Sequence, residues 1–172
     1  MKIALAIIGT LAGIAVIVAV IGLSLPVKHE ISREITLAAA PDAIYQTITD
    51  VAAFPNWRSN VKSVDIVRRN DPVTFRENGS DGSILFTIDE STRPSRVVMR
   101  IADRELPFGG SWTYELSPVK DGTTLRITER GEVYNVFFRF ASRFIIGHQA
   151  TIDTYLRDIS TRFSAGTPEA TS

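Results

Sequence analysis

Few residues in this sequence have both the type and the setting to do chemistry, and His148 and Glu129 lead them. His148 lies four residues after Phe144 and four before Ile152, on what reads as the apolar stripe of a helix. An imidazole, with an ordinary pKa of about 6.5, could act there as a general base. Its i+4 neighbour is Ile152 rather than a carboxylate, so a core or rim histidine satisfied by one hydrogen bond is the competing reading. Glu129 shares strand parity with Leu125 and Ile127, which turns it towards the interior. A buried carboxylate must find a partner or take up a proton. An arginine, or Tyr114 on the neighbouring strand, would serve. Such a group could anchor the polar head of a ligand; a carboxylate near a strand end with access to water is the plainer alternative. The second histidine, His29, stands close to the apolar N-terminal run.

Other familiar chemistries lack their residues. The chain has no cysteine. It shows no paired histidines and no carboxylate cluster at ligand spacing, so no metal site is expected. No Gly-x-Ser-x-Gly occurs. Phe108-Gly109-Gly110 precedes a strand rather than a helix, which is the wrong context for cradling a phosphate. No catalytic residue is assigned and no cofactor is expected. Asn78-Gly79-Ser80 matches a glycosylation acceptor in form, but hairpin chemistry explains it better.

The charge balance narrows the partners. The chain carries 19 Lys+Arg and 19 Asp+Glu, and Lys2 alone of these precedes residue 28. The remainder is therefore near neutral, without the basic excess that a phosphate-binding surface needs, and nucleic acid is not an expected partner. Arg68-Arg69 and Arg139 with Arg143 read as solvated faces.

The apolar residues are unevenly placed. Residues 3–25, IALAIIGTLAGIAVIVAVIGLSL, carry no charge. As a helix the run would extend about 35 Å, against a hydrocarbon core of about 30 Å. A cleaved signal peptide is the rival reading, but its apolar region is normally shorter and ends in a small-residue cleavage site that is missing here. A retained single-span membrane anchor over residues 1–27 is expected. Gly9-x-x-x-Gly13 could be a helix-pairing face, although small residues are common in such spans. Lys and Arg near the two ends are nearly balanced. The very short N-terminal flank tips the orientation towards an inside amino terminus and an extracytoplasmic domain.

The residues after the anchor must position the candidate groups. His29–Leu37 alternates as a strand. Pro41 suits a helix first turn, and Ile44 and Ile48 give a short helix its apolar face. Val51–Trp57 reads as a second short helix or turn. Strands then follow over about residues 61–69, 73–77, 83–90, 96–103, 111–116 and 123–133, with turns at Asp71-Pro72, Asn78–Gly82, Arg93–Ser95 and Asp121-Gly122. Beyond Tyr134 the period becomes helical. Phe137, Phe140, Phe144, His148, Ile152, Leu156, Ile159 and Phe163 form one stripe over almost thirty residues, with Asn135 as N-cap and Gly147 able to kink it. Residues 166–172 read as a disordered tail.

This order, with Ala40-Pro-Asp-Ala-Ile-Tyr-Gln-Thr-Ile-Thr-Asp-Val-Ala-Ala-Phe-Pro-Asn-Trp57, Gly110-Ser-Trp-Thr-Tyr114 and Glu129-Arg-Gly-Glu-Val-Tyr134, resembles the START-like helix-grip (SRPBCC) superfamily. That superfamily includes polyketide cyclase/dehydrase-like and lipid-transport proteins. The resemblance covers about residues 28–165, taken as the domain. It implies an α+β helix-grip fold: a curved antiparallel sheet around a long C-terminal helix, here preceded by one transmembrane helix. It also implies a hydrophobic ligand held between sheet and helix. Phe54, Pro55 and Trp57 would then either cover one end of a cavity or plug an ordinary core. Phe75, Phe86, Met99, Trp112 and Tyr114 would line the concave face, with Glu129, Phe144 and His148 completing the candidate ligand site.

The expected function is a membrane-anchored binding or carrier domain for a hydrophobic small molecule or lipid. The alternatives are an enzyme of the polyketide cyclase or aromatase type, and a filled-core structural or interaction domain. Cavity volume discriminates them, because a filled interior would sink both ligand readings.

Overall fold

The computed structural model describes residues 2–80, 82–146 and 150–164. An N-terminal helix, α1 (Lys2–Ser24), leads directly into β1 (Lys28–Leu37). Next come α2 (Pro41–Thr49) and a 3-10 turn (Val51–Asn56). Six strands follow: β2 (Val61–Arg68), β3 (Thr74–Gly79), β4 (Gly82–Thr92), β5 (Arg96–Ile101), β6 (Phe108–Val119) and β7 (Gly122–Val133). The chain closes with α3 (Val136–Ala141), a π-helical turn (Ser142–Ile146) and α4 (Ala150–Ser164). The tail 166–172 lies outside the described residues.

The strands form one seven-stranded antiparallel sheet in the order β1-β7-β6-β5-β4-β3-β2. Only β1 breaks the meander, crossing back to pair with β7 in a register that sets His29 opposite Gly131 and Ile31 opposite Glu129. Positions of one parity face α2 and α4. They include Ile35, Leu37, Phe75, Ile88, Val97, Met99, Tyr114, Leu116, Leu125 and Ile127, all part of the core or packed against it. Asp121-Gly122 turns β6 into β7 with Gly122 at φ 147°, where a side chain would be strained.

The helices lie where their apolar faces dictate. α2 starts with Pro41 in its first turn and buries Ile44 and Ile48 completely. Each such burial contributes about 2 kcal/mol relative to exposure. α4 buries Ile152, Tyr155, Leu156 and Ile159. Its Asp158 accepts hydrogen bonds from the backbone N–H and the hydroxyl of Ser59, at 2.7 and 2.8 Å. The helix is thereby tied to the segment entering β2. Its Asp153 faces Arg33 of β1 at 3.7 Å, so α4 reaches both edges of the sheet.

Two sequence expectations are corrected. The sheet is not strongly curled around a helix: it is an open sheet whose edge strands β1 and β2 do not pair with each other. The single stripe expected of one long C-terminal α-helix is also not kept through the described residues. Asn135 caps α3 as expected, accepting from the N–H groups of Phe137 and Phe138. After the six residues of α3 the hydrogen bonding widens to the π pattern. That shift takes the chain out of the 3.6-residue register on which a single stripe depends. The turn leaves Phe144 and Ile145 exposed, so Phe144 belongs to no inward face.

α1 is 23 residues long and apolar enough to cross a membrane by length and composition, and it stands outside the domain core. Its far end touches the domain. Gly22 is buried, and a Cβ added there would collide with the carbonyl of Val136 in α3. Arg139 of α3 donates to the Leu25 carbonyl at 3.0 Å.

Candidate ligand cavity

A cavity of about 340 Å3 opens at the end of the sheet nearest α1. Its apolar wall is built by Ile84 and Phe86 of β4, Ile101 of β5, Phe108 of β6, Val133 of β7 and Phe138 of α3. Phe108 and Phe138 stack at 5.7 Å, joining sheet to helix at the rim. Small residues make room: Gly79, Gly82, Gly109 and Gly131 all border the space. At Gly131 the reason is visible, because a Cβ would run into the imidazole of His29.

Two polar poles stand in this apolar wall. At one, the buried Arg58 guanidinium donates to the Glu77 carboxylate at 2.5 Å. Burial works against the Arg58 charge, but the Glu77 carboxylate more than offsets it and its pKa stands above the ordinary value. The same guanidinium lies 5.0 Å from the Phe54 ring centre and 5.3 Å from that of Tyr155, two faces that favour a cation. At the other pole, His29 Nε2 sits 3.4 Å from Glu129 Oε1, with both side chains largely withdrawn from solvent. Burial pushes the Glu129 carboxyl from 4.5 up to about 7. A carboxyl at that value exchanges its proton near neutral pH, and it does so beside an imidazole. The pair can therefore donate or accept a proton or a hydrogen bond at the cavity wall. The poles come from different strands, Glu129 from β7 and Glu77 from β3.

A family model described as polyketide cyclase / dehydrase and lipid transport matches residues 28–157. The chain belongs to this family. Solved structures share the fold at low identity. A START superfamily protein from Mycobacterium smegmatis is 17% identical with a TM-score of 0.65, over 81% of this chain and 99% of that one. The Zhui aromatase/cyclase of a Streptomyces species is 11% identical at 0.67, over 80% and 94%. A ginseng major latex-like protein from Panax ginseng is 12% identical at 0.64, over 80% and 99%. At such identities the likeness concerns the fold alone. A search of curated proteins found no match.

In this family member the residues singled out from sequence separate into groups. Phe86 and Glu129 line the cavity. Phe54, Trp57, Phe75, Met99, Trp112 and Tyr114 form a packed block beside it. Phe54 meets Trp57 and Phe75 edge-on at 5.7 and 5.9 Å. Tyr155 of α4 gathers Trp57, Trp112 and Tyr114 at 5.3, 6.1 and 5.4 Å. Phe75 reaches the wall by stacking on Phe86 at 5.6 Å. Trp57 is half-buried against the core, and the cavity is lined by other residues. Burial raises the Tyr114 and Tyr155 pKa values, so neither ionises near neutral pH. Phe144 is 60% exposed and packs on Phe140 at 5.0 Å. His148 lies outside the described residues. Among the described residues no group of three or more His, Asp or Glu is placed to hold a metal.

Arg58, Glu77 and His29 were not reached from the sequence. For two of them a signal existed. His29 has the parity of Ile31 and Ile35, and Glu77 that of Phe75, which puts both on the inner face. Nothing local marks Arg58, whose partner is nineteen residues away on another strand.

Proposed function

We propose that this chain is a membrane-anchored module that binds or carries a hydrophobic small molecule or lipid. Residues 1–27 act as the anchor, 28–165 as the ligand-binding domain and 166–172 as a tail. The observation that carries the reading is the cavity of about 340 Å3, apolar-walled and bearing two polar pairs largely withdrawn from solvent. Such a space suits a molecule with an apolar body and one or two polar groups. The family description, which includes lipid transport, supports the same reading. An anchor beside the cavity holds it where apolar ligands are concentrated.

Mass spectrometry of small molecules extracted from the detergent-purified full chain tests this. The controls are Ile84→Trp, which fills the cavity, and Ile84→Val, which reports tolerance of change at the same site. One molecule retained stoichiometrically by the native chain and Ile84→Val, and lost from a folded Ile84→Trp, is expected. Bulk lipid alone in all three would overturn the binding reading.

An enzyme of the cyclase or aromatase type is the second reading, favoured by the His29–Glu129 pair. It requires that Glu129→Gln retain the extracted molecule while losing its conversion. An unchanged set of products from the variant would overturn it.

A further inference from the structure

α3 and the π-helical turn are two-faced. Phe138 and Ser142 look into the cavity. Phe137, Phe144 and Ile145, from the same eleven-residue stretch 136–146, are 50%, 60% and 75% exposed. Tyr134, just before α3, is 50% exposed as well. Several large apolar side chains left in water within so short a stretch are costly, and the core of the domain does not use them. Two arginines, Arg139 and Arg143, are interspersed with them.

The position of this segment decides what covers it. Gly22 of α1 is buried under Val136 of α3, and Arg139 holds the Leu25 carbonyl. Val18 and Ala19, one turn before Gly22, are likewise partly withdrawn from the surface, so one face of the last two turns of α1 takes part. Gly22 is only two residues, about 3 Å of rise, from the end of the apolar helix. At about 35 Å, α1 slightly exceeds a hydrocarbon core of about 30 Å, so its last turn falls at the boundary between acyl chains and headgroups. α3 is fixed at that depth by direct contact. Aromatic and aliphatic side chains alternating with arginines suit that boundary, the apolar ones entering the acyl region and the exposed Arg143 guanidinium reaching phosphates, while Arg139 stays bound to the Leu25 carbonyl.

We propose that α3 and the π-helical turn form a wedge in the lipid surface, with Phe137, Phe144 and Ile145 inserted beside the anchor. The occupant of this face is the bilayer itself. The cavity wall bearing Phe138 is then one side of a membrane-seated segment, and the cavity rim faces the lipid. The proposal rests on reading α1 as a membrane span, and the test separates the two.

Because the chain lacks cysteine, single cysteines can be placed in the full-length protein without further change. Ile14→Cys reports the span, Phe144→Cys and Ile145→Cys the wedge, and Val119→Cys, at the β6–β7 end of the sheet, the far side of the domain. Each is labelled with an environment-sensitive NBD dye and reconstituted in phosphatidylcholine vesicles containing 20% phosphatidylglycerol. Quenchers are doxyl lipids labelled near the headgroup or deep in the chain. The expected result is deep quenching at 14, shallow quenching with a blue shift at 144 and 145, and none at 119. Quenching at 14 with water-like, unquenched emission at 144 and 145 overturns the wedge while leaving the anchor. A blue shift at 144 and 145 without lipid quenching means a second copy covers the face, and overturns it. Quenching at all four positions means the domain has no preferred face, and also overturns it. Absence of quenching at 14 removes the anchor and the wedge together.

Discussion

Glu129 is the residue whose protonation the fold most visibly alters. Its pKa rises from 4.5 to about 7 because burial disfavours the carboxylate. Between these values the folded chain binds more protons than the unfolded one, so stability falls as pH rises from about 4.5 to about 7. The cost is complete above the folded value and amounts to at most about 3.5 kcal/mol, at about 1.4 kcal/mol per pKa unit. Glu129→Gln is therefore expected to flatten this fall, with urea unfolding at pH 5 and pH 8 as the measurement. A parallel pH dependence in both proteins would mean that another group is responsible. Arg58 and Glu77 behave differently, because they meet as buried opposite charges. Glu77→Leu strands a guanidinium and is expected to cost about 3 to 5 kcal/mol. Adding Arg58→Met to that variant should recover much of the loss. Additive losses in the double-mutant cycle would show that the two residues do not act as a pair.

At the scale of elements, α4 is held by burial along one face and by a buried polar tie. Asp158 is buried and receives both the backbone N–H and the hydroxyl of Ser59. Asp158→Ala leaves that N–H without its acceptor and is expected to destabilise by about 3 kcal/mol. Hydrogen exchange would show faster exchange at Ser59 and along α4 than in β6 and β7; uniform acceleration would argue for global rather than local loosening. This tie was not legible in the sequence, since it joins residues 99 apart. The short helix α2 was legible, because Pro41, Ile44 and Ile48 state its start and its buried face within eight residues. The change to π hydrogen bonding after α3 was not. A spacing of three and four residues fits one long stripe as well as two segments, and only the tertiary contacts of α3 with α1 and β7 show where the stripe ends.

For the whole molecule, the proposed anchor makes a plain prediction. The full-length chain should remain in the membrane pellet through alkaline carbonate washing, which strips proteins held by surface charge alone. Release into the supernatant would remove the membrane span from the proposed function without touching the cavity. The sequence by itself determined the local matters: the charge-free N-terminal run, the strand parities that turn Phe86 and Glu129 inward, the hairpin turns and the cap at Asn135. These are legible because propensity, periodicity and turn chemistry act over a few residues. It also carried the resemblance to the family that the chain proves to match. Only the tertiary structure decided that the sheet stays open, that the aromatic block is packed core beside the cavity, and that His29 joins Glu129 while Arg58 joins Glu77. Those outcomes depend on strand register and long-range packing. A stretch of sequence fixes which face a residue takes, but not which residue will face it from the other end of the chain.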